Sequence, residues 1–588
     1  MDQATPHSGG GRLQPRRRGP WRLVRANLYD FGLLLREARL ALVGFVVVVL
    51  LGSLYLSQHF RLRFLDALYQ ALQLLIFQTS HPLPSDVAGE LVFFLLPLLG
   101  LALIVQSVLN FGRRLLDKGS RREAWQVALA STYRDHIILC GLGRVGLRVL
   151  TRLLEAGYDV IAIERDFGSR FVARALELHV PVIQGDAREV GALRQAGLRR
   201  ARAVIAAING DLLNIEIALT VRGERPGARV ILRAFSEELD RNLERVFGAY
   251  STFSSSSLAA PTFAAAAVSR AIAYAFPLGS QLVGMTQLVV ERGSALEGTA
   301  LADLEAGQGV RVLERLPRAE GGQALRAGDH LTLLGPLAAL EAARLRNLPP
   351  GSDPAALPAQ HPTAAFDRVI ICGLGKVGYR VAQRLHALEP RPRIVVVHQD
   401  DPGASFVEQI APLDGVELVR GDARDPAVLR RAGIEHAYAV AAVTSDDLVN
   451  LQISLAARRL REEVHVVVRV FSDALAEELN SVFEIHTTYS TSNLASATLA
   501  AAAVVGRVSR AFATGGHLYA RDEVVARAGD GLCGKTLGAV RAARGVLVLG
   551  IQRKEQTLVL PALDEVAQPG DALTVVAPLA ALAKLRGG

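Results

Sequence analysis

Cysteine, methionine and tryptophan are scarce in this chain of 588 residues, which contains three, two and two of them. The cysteines, Cys140, Cys372 and Cys533, form no disulfide framework and show no metal-ligand spacing. This pattern excludes a disulfide-stabilised secreted domain, is typical of a reducing compartment, and predicts no metal site. Cys140 and Cys372 each precede a glycine in two similar stretches, so we expect them to be small buried core residues.

Acidic residues are few at the start of the chain, where residues 1–40 contain eight arginines and three acidic side chains. No nucleic-acid recognition motif and no interleaved aromatic residues accompany these arginines, so we expect no nucleic-acid partner. A basic segment beside an apolar one usually lies on the anionic cytoplasmic leaflet of a membrane. Residues 1–38 are therefore interpreted as a basic segment with an interfacial helix.

Charged residues are absent from two apolar runs, Leu40–Leu56 and Leu91–Leu109, each near the length that crosses about 30 Å of hydrocarbon. Arginines before the first run and basic residues after the second predict that both ends face the cytoplasm. Between them, Phe64–Phe77 has helical spacing but is too short to span, which is typical of a re-entrant or interfacial helix. Span, short helix and span is the order of a pore subunit, and a plain membrane anchor is the alternative.

Glycine is missing from the segment after the short helix, which reads QTSHPLPSD at Gln78–Asp86. A filter lined by backbone carbonyls usually needs glycine, because its backbone alternates between left- and right-handed conformations. Two prolines in the segment fix the backbone further. Thr79, Ser80 and His81 would then line a less selective cation pore, or belong to a pore that does not conduct.

Two stretches farther along are nearly the same, namely HIILCGLGRVGLR at His136–Arg148 and RVIICGLGKVGYR at Arg368–Arg380. Each is an apolar strand followed by G-x-G-x-x-G and a helix-like segment. Such glycines permit a tight turn, the close approach of a pyrophosphate and the packing of helix on strand, while the helix N-terminus favours phosphate. Further paired stretches, such as VIQGDARE and LVRGDARD, extend the duplication. The sequence therefore predicts two tandem Rossmann-like α/β lobes.

Acidic residues follow the glycine turns at informative places. Glu164 lies 23 residues after Gly141, near the usual position of a carboxylate that binds ribose hydroxyls. The second repeat has His398 there, so it is open whether that repeat binds an adenine nucleotide, a different ligand or none. Asp186 and Asp422 end further predicted strands on the ligand side, where they bind ligand, cap a helix, or do both.

Each repeat continues with an alanine-rich helical stretch, Ser257–Ala275 and Ser492–Ala513, and closes with a small β-rich module. We interpret the two alanine-rich stretches as crossover helices that dock on a partner subunit, with an ordinary internal helix as the alternative. A Pro/Ala-rich linker, Leu348–Pro362, separates the repeats.

In this order, the motifs resemble regulator-of-potassium-conductance (RCK, also called KTN) domains, in two copies over residues 133–588. The front part resembles the two-helix pore of prokaryotic ligand-gated potassium channels. The resemblance implies a cytoplasmic gating ring whose regulatory ligand is NAD or an adenine nucleotide, in a homotetramer of the cell (inner) membrane with both termini cytoplasmic. The nucleotide contacts that it implies are Gly141, Gly143, Gly146, Glu164 and Asp186 in the first copy, and Gly373, Gly375, Gly378 and Asp422 in the second.

The predicted organisation is a two-span membrane domain followed by two RCK domains, each with a nucleotide-binding lobe and a small α+β C-terminal lobe. The expected segments are the basic segment 1–38, the pore-like domain 39–118, a linker 119–132, the first nucleotide-binding lobe and crossover helix 133–282, the first C-terminal lobe 283–346, a linker 347–365, the second nucleotide-binding lobe and crossover helix 366–517, and the second C-terminal lobe 518–588.

Two functions fit this organisation. The first is a ligand-gated monovalent cation channel whose RCK ring senses a nucleotide, with the lipid bilayer and the permeant cation as partners. The second is a non-conducting, membrane-anchored regulatory subunit of a cation transporter. An enzyme is not expected, because neither glycine motif has a substantial substrate domain beside it and no catalytic cluster is visible.

Overall fold

The computed structural model of the protein describes most of the chain from residue 43 onward. The described residues are 43–58, 60–75, 78, 90–91, 93–102, 105–106, 118–234, 243–248, 250–317, 324–352, 368–399, 404–471, 475–476, 478–479 and 487–586. The basic segment 1–38 and the pore-loop residues Thr79, Ser80 and His81 lie outside the described residues.

The described N-terminal part contains the short helix Phe64–Leu74 between helical residues 43–58 and 93–102. One face of the short helix packs into a small apolar cluster with Leu56 and Phe93. A Cβ on Gly100 would lie 1.9 Å from Leu75 Cδ2, so glycine permits close packing there. Within the described residues, no helix combines the length and the apolar character needed to cross a membrane.

The first repeat begins with a six-stranded parallel sheet in the order β3-β2-β1-β4-β5-β6. Its strands are β1 Ile137–Cys140, β2 Val160–Glu164, β3 Val182–Gln184, β4 Ala203–Ala206, β5 Arg229–Ala234 and β6 Thr252–Ser254. The helices that precede and connect them are Lys118–Ser131, Arg144–Glu155, Arg170–Glu177, Val190–Gln195 and Asp211–Glu224, with a 3₁₀ turn at Leu198–Arg200. Apolar side chains bury both faces of β1 and β4, as parallel strands covered by helices require.

A four-stranded antiparallel sheet in the order β7-β8-β10-β9 follows and forms the first C-terminal lobe. Its strands are β7 Ile272–Leu278, β8 Gln281–Val289, β9 Arg311–Leu316 and β10 His330–Pro336, with helices Leu301–Gln308 and Leu337–Arg346.

The second repeat reproduces this architecture. Its parallel sheet has the order β13-β12-β11-β14-β15-β16, and its C-terminal sheet has the order β17-β18-β21-β19-β20. The strands are β11 Val369–Cys372, β12 Ile394–His398, β13 Val416–Arg420, β14 Ala439–Ala442, β15 His465–Arg469, β16 Thr488–Tyr489, β17 Arg510–Thr514, β18 His517–Val525, β19 Leu547–Arg553, β20 Gln556–Val559 and β21 Ala572–Pro578. The helices are Lys376–His386, Ala404–Ile410, Pro426–Arg431, Asp447–Leu460, Leu537–Arg544 and Leu579–Arg586, with a 3₁₀ turn at Ile434–His436. The prediction of two tandem Rossmann-like lobes is confirmed.

Two alanine-rich helices are exchanged between the repeats. The first crossover helix, Ser255–Val268, follows β6 of the first sheet but packs on helix Lys376–His386 of the second repeat. The second crossover helix, Thr491–Val505, packs in turn on Arg144–Glu155 of the first repeat. Both share a core with the lobe on which they dock, and their small side chains allow the close contact.

This exchange corrects two expectations from the sequence. The crossover helices dock on the other half of the same chain, where the sequence analysis expected a partner subunit. They also end at Val268 and Val505, well before Ala275 and Ala513. The mostly buried residues beyond those ends form the first strand of each C-terminal lobe, which an alanine-rich composition does not reveal.

The two C-terminal lobes also face each other. Tyr274, Phe276 and Phe512 form one buried aromatic cluster between their sheets, with Phe276 and Phe512 stacked at 6.5 Å between ring centroids. An ion pair joins the lobes nearby, in which Arg541 donates to the buried Glu305 carboxylate at 2.7 Å. The repeats therefore form an internal pair with approximate twofold symmetry, held by exchanged helices at one level and by this cluster at another.

Candidate functional site

The two glycine turns adopt the same conformation. Gly141 and Gly373, directly after β1 and β11, have φ values of +95° and +108°, which favour glycine. A Cβ on Gly146 would lie 2.0 Å from the carbonyl oxygen of Gly141, so helix Arg144–Glu155 can approach its strand only with glycine there. Around Gly143 the corresponding space is open, since an added Cβ would meet no heavy atom within 4 Å. The turn is thus tightly packed at Gly146, against the strand, and has open space at Gly143.

Glu164 holds the first glycine turn from the end of β2. The backbone N–H of Leu142, inside the turn, donates to Glu164 Oε2 at 2.7 Å. The N–H groups of Arg165 and Asp166 donate to Oε1 at 2.9 and 3.0 Å. These three bonds fix the carboxylate beside the turn, where the sequence placed a partner for ribose hydroxyls.

His398 ends β12 at the matching place in the second repeat. Its Nδ1 lies 3.0 Å from the carbonyl oxygen of Gln399, and within the described part of the chain no hydrogen bond joins it to the second glycine turn. The two repeats therefore differ in chemistry at the residue that ends the second strand of each parallel sheet.

Asp186 and Asp422 each form a bidentate ion pair with the arginine two residues later in the chain. Asp186 accepts from the backbone N–H of Arg188 at 2.9 Å and from its guanidinium at 2.7 Å. Asp422 accepts in the same way from Arg424. In both repeats, the hydrogen bond from that arginine lowers the pKa of the carboxyl group below its usual value. Neither aspartate caps the following helix, because Glu189 and Asp425 hold those N-cap positions.

A buried asparagine that was not predicted from the sequence supports one wall of each site. Asn214 Oδ1 accepts from the Ile208 N–H at 3.0 Å, and its Nδ2 donates to the Ile208 and Arg233 carbonyl oxygens. Asn450 makes the equivalent bonds to Thr444 and Arg469. Each asparagine ties the loop after the fourth strand of its sheet to the fifth. The sequence did contain a signal for them, since both asparagines lie in a further pair of similar stretches, residues 201–219 and 437–455.

A second pair of residues that was not predicted from the sequence is Arg148 and Arg380, the last residues of the two nearly identical glycine-rich stretches. Arg148 donates to the Ser490 Oγ at 2.6 Å and also to Ser492, at the start of the second crossover helix. Arg380 donates to the Ser254 Oγ at 2.7 Å and also to Ser256, at the start of the first crossover helix. Each helix that follows a glycine turn is thus hydrogen-bonded to the start of the other repeat's crossover helix. Sequence spacing cannot reveal these bonds, because they join residues more than 120 positions apart.

One cavity of about 1170 Å³ lies between the two repeats, at the carboxyl ends of both parallel sheets. The predicted site residues that line it are Gly141, Gly143, Glu164 and Asp186 from the first repeat and Gly373, Gly375 and Asp422 from the second. His398, which was not predicted as a contact, lines the cavity as well. Gly146 and Gly378 pack beneath the turns, away from the cavity lining. Two sites that the sequence treated separately therefore face a shared space.

Basic side chains outnumber acidic ones in the cavity lining, six to four. The basic residues in the lining are Arg144, Arg165, Arg188, Lys376, Arg233 and Arg469. Burial lowers the pKa of Arg233 and Arg469 to about 10, so both remain protonated at neutral pH. The guanidinium carbons of Arg144 and Arg469 lie 4.9 and 4.5 Å from the centre of the Phe471 ring, which joins a helix of one repeat to a strand end of the other. The cavity is therefore suited to an anionic ligand. No group of three or more metal-ligating side chains that could hold a metal ion occurs among the described residues.

Comparisons with known proteins agree with this duplicated architecture. The family model of the TrkA-N domain matches residues 137–255 and 369–490, and that of the TrkA-C domain matches residues 523–587. The Trk system potassium uptake protein TrkA homologue of Archaeoglobus fulgidus is 31% identical over 343 residues, which cover 56% of this chain and 72% of that protein.

Two further similarities concern channels. A probable potassium channel protein 2 of Methanocaldococcus jannaschii is 30% identical over 116 residues, which cover 19% of this chain and 33% of that one. The solved structure of the GsuK channel bound to NAD is 17% identical and covers 95% of this chain and 99% of its own, with a TM-score of 0.50. At this identity, the likeness shows a shared fold.

Proposed function

Because the chain belongs to the TrkA family of potassium uptake proteins, we propose that it regulates potassium transport by sensing a nucleotide in the cavity between its repeats. The ligand is NAD or an adenine nucleotide, bound for regulation rather than catalysis. The observation that carries the proposal is the shared cavity where both glycine turns meet, whose lining has more basic than acidic side chains and in which Glu164 is fixed beside one turn. An anionic ligand in such a place contacts helix N-termini and basic side chains at once.

The proposed contacts follow the lining. In the first repeat, the open space above Gly143 admits a pyrophosphate, Glu164 accepts from ribose hydroxyls, and Asp186 holds Arg188 at the cavity wall. In the second repeat, Gly373, Gly375 and Asp422 take the corresponding places. Gly141 supplies the left-handed turn in the first repeat, and Gly146 and Gly378 support the turns from below.

A ligand in the shared cavity can regulate only if it binds one arrangement of the two repeats better than another. Its contacts would bridge the repeats, so closing the cavity around it moves one lobe against the other. A coupling of about 1–3 kcal/mol is typical of such regulation. The exchanged crossover helices transmit that movement, because each begins at the cavity and packs on the opposite lobe.

Replacing Glu164 with alanine should abolish the thermal stabilisation that nucleotides give. NAD, ADP and ATP are screened against the full chain in detergent, and a ligand at about 100 times its Kd should stabilise the native protein by about 2.7 kcal/mol. The variant should lose that rise relative to its own ligand-free melting temperature. That temperature should itself be lower, because three backbone N–H groups lose their acceptor.

The matched control is Glu177→Ala, which removes an exposed glutamate paired with Arg174 on the helix that follows Glu164. It should keep the full ligand-induced rise. If nucleotides raise the melting temperature of Glu164→Ala as much as that of the wild type, Glu164 is not part of the proposed site.

For the N-terminal part, we propose a two-span pore domain, assembled as a homotetramer in the cell membrane with the repeats in the cytoplasm. Two observations support it. The short helix Phe64–Leu74 packs between helical segments on either side of it, as a pore helix does. Large apolar side chains on these helices, among them Leu51, Leu65 and Phe94, are exposed and suit lipid or neighbouring subunits. Four chains would then place eight RCK lobes around one pore.

A second candidate function is a regulatory subunit that has no conducting pore and acts on a partner cation transporter. The lack of glycine in Gln78–Asp86 favours it, since a carbonyl-lined filter is difficult to build from that sequence.

Purified protein in liposomes should separate the two. The channel proposal expects potassium flux with no partner present and a change in that flux when nucleotide is added. Glu164→Ala is the control, because it should conduct without responding to nucleotide. Liposomes that bind nucleotide through the protein but show no flux with any monovalent cation would favour the regulatory subunit.

A further inference from the structure

Four helix N-termini meet at the shared cavity. Helices Arg144–Glu155 and Lys376–His386 begin at the glycine turns, and the two crossover helices begin at Ser255 and Thr491, all within the lining. Each N-terminus presents backbone N–H groups without an intrahelical partner and the positive end of a helix dipole. The first crossover helix is drawn against the second glycine-turn helix by Arg380, which bonds to Ser254 and Ser256.

An unpartnered hydroxyl lies at one of these N-termini. Ser255 is only 7% exposed and lines the cavity. Its Oγ has no hydrogen-bond partner among the described residues, whereas the hydroxyls of Ser254 and Ser256 on either side accept from Arg380. A buried hydroxyl without a partner costs about 1–3 kcal/mol, so a native protein normally satisfies it with protein, water or ligand.

We propose that Ser255 belongs to a phosphate subsite that completes the second repeat's site from the first repeat. In this subsite, the Ser255 hydroxyl donates to a terminal phosphate oxygen of a ligand held over the second glycine turn. The N-terminal N–H groups of the first crossover helix and the charge of Lys376, which also lines the cavity, favour the same anion. The inference deepens the proposed function and rests on it for the nucleotide.

The subsite assigns a ligand class to the second repeat. His398 stands where a carboxylate would accept from ribose hydroxyls, so recognition there depends on the phosphate end of the ligand. A terminal phosphate, from a nucleoside diphosphate or from free inorganic phosphate, fits this chemistry. The internal pyrophosphate of a dinucleotide does not present such a group. The two repeats would thus select different ligands across one cavity.

Calorimetry on the full chain in detergent tests the subsite with ADP, inorganic phosphate and adenosine. Ser255→Ala should weaken ADP binding at the second repeat by about tenfold, since one hydrogen bond to a charged group is lost. It should leave adenosine binding unchanged. Ser251→Ala is the matched control, because the Ser251 hydroxyl is also buried and unpartnered among the described residues but lies outside the cavity lining.

The outcomes separate the subsite from the proposed function. If Ser255→Ala, but not Ser251→Ala, binds ADP more weakly, the subsite holds a nucleotide phosphate. If Ser255→Ala binds only inorganic phosphate more weakly, the subsite holds the free anion. If ADP and phosphate bind Ser255→Ala as tightly as wild type, the subsite is overturned while the proposed function stands. If wild type binds phosphate through Ser255 but binds neither ADP nor NAD, the subsite stands and the proposed function fails. If wild type binds none of these probes, both are overturned.

Discussion

Replacing Gly146 with alanine should lower the apparent melting temperature of the first lobe by roughly 6–12 °C, corresponding to a loss of about 3 kcal/mol. The new Cβ would lie 2.0 Å from the carbonyl oxygen of Gly141 and 3.0 Å from its carbonyl carbon, and these backbone atoms cannot rotate aside as a side chain can. Helix Arg144–Glu155 must shift away from β1, and the second crossover helix, which packs on it, must follow. Thermal unfolding followed by circular dichroism measures the change. Gly378→Ala should have the same effect in the second lobe, where the distance is 1.9 Å.

Gly143→Ala provides the matched control for this prediction. No heavy atom lies within 4 Å of the added Cβ, and the φ of −91° suits alanine, so stability should change by no more than about 1 kcal/mol. Under the proposed function, however, the methyl group occupies the open space above the turn and should weaken nucleotide binding by at least about tenfold. A stable Gly146→Ala variant, or an unstable Gly143→Ala variant, would contradict this account of the turn.

Truncating Phe512 to alanine should cost about 3–5 kcal/mol and loosen the two C-terminal lobes from each other. The ring is 3% exposed and lies among Tyr274, Phe276 and Tyr519, with centroids 5.1, 6.5 and 5.8 Å away. Because Tyr274 and Phe276 come from the first repeat and Phe512 from the second, the lost contacts are those that join the lobes. Chemical denaturation of the full chain, followed by fluorescence, measures the loss.

A double-mutant cycle tests whether the contact itself carries the effect. Phe276→Ala and Phe512→Ala should be less than additive by about 0.5–1.5 kcal/mol, because either substitution removes the same stacked pair. Leu193, buried in a cluster that contains only residues of the first repeat, supplies the control partner for Phe512. The losses of unfolding free energy caused by those two truncations should be additive. Strict additivity of the phenylalanine pair would show that the lobes are held elsewhere.

Much of the fold could be predicted from the sequence because the same motifs occur in two copies. The apolar runs before Gly141 and Gly373, the turn chemistry and the duplicated Gly-Asp stretch predicted two Rossmann-like lobes, and the tandem TrkA-N matches confirm them. Glu164 was placed correctly at the end of β2, because residue spacing along a strand, turn and helix unit is nearly fixed. The potassium-transport family, expected from the same motifs, is also confirmed.

The pairing of the repeats could not be predicted in the same way. Neither the bonds from Arg148 and Arg380 nor the stack of Phe276 on Phe512 leaves a periodic pattern, since each joins distant parts of the chain. Alanine-rich composition predicted the crossover helices but not the surface on which they pack, because small side chains fit against either a partner subunit or another lobe. The pore loop and the permeant ion remain predictions from the sequence.

The helix exchange has a consequence for how the chain is made. During synthesis, the first crossover helix emerges well before residues 376–386, the surface that will cover it. Until then only the part of this helix that packs on β7 and β8 of its own repeat has a docking site within the nascent polypeptide. The first repeat should therefore reach its final packing only after the second glycine-turn helix has been synthesised.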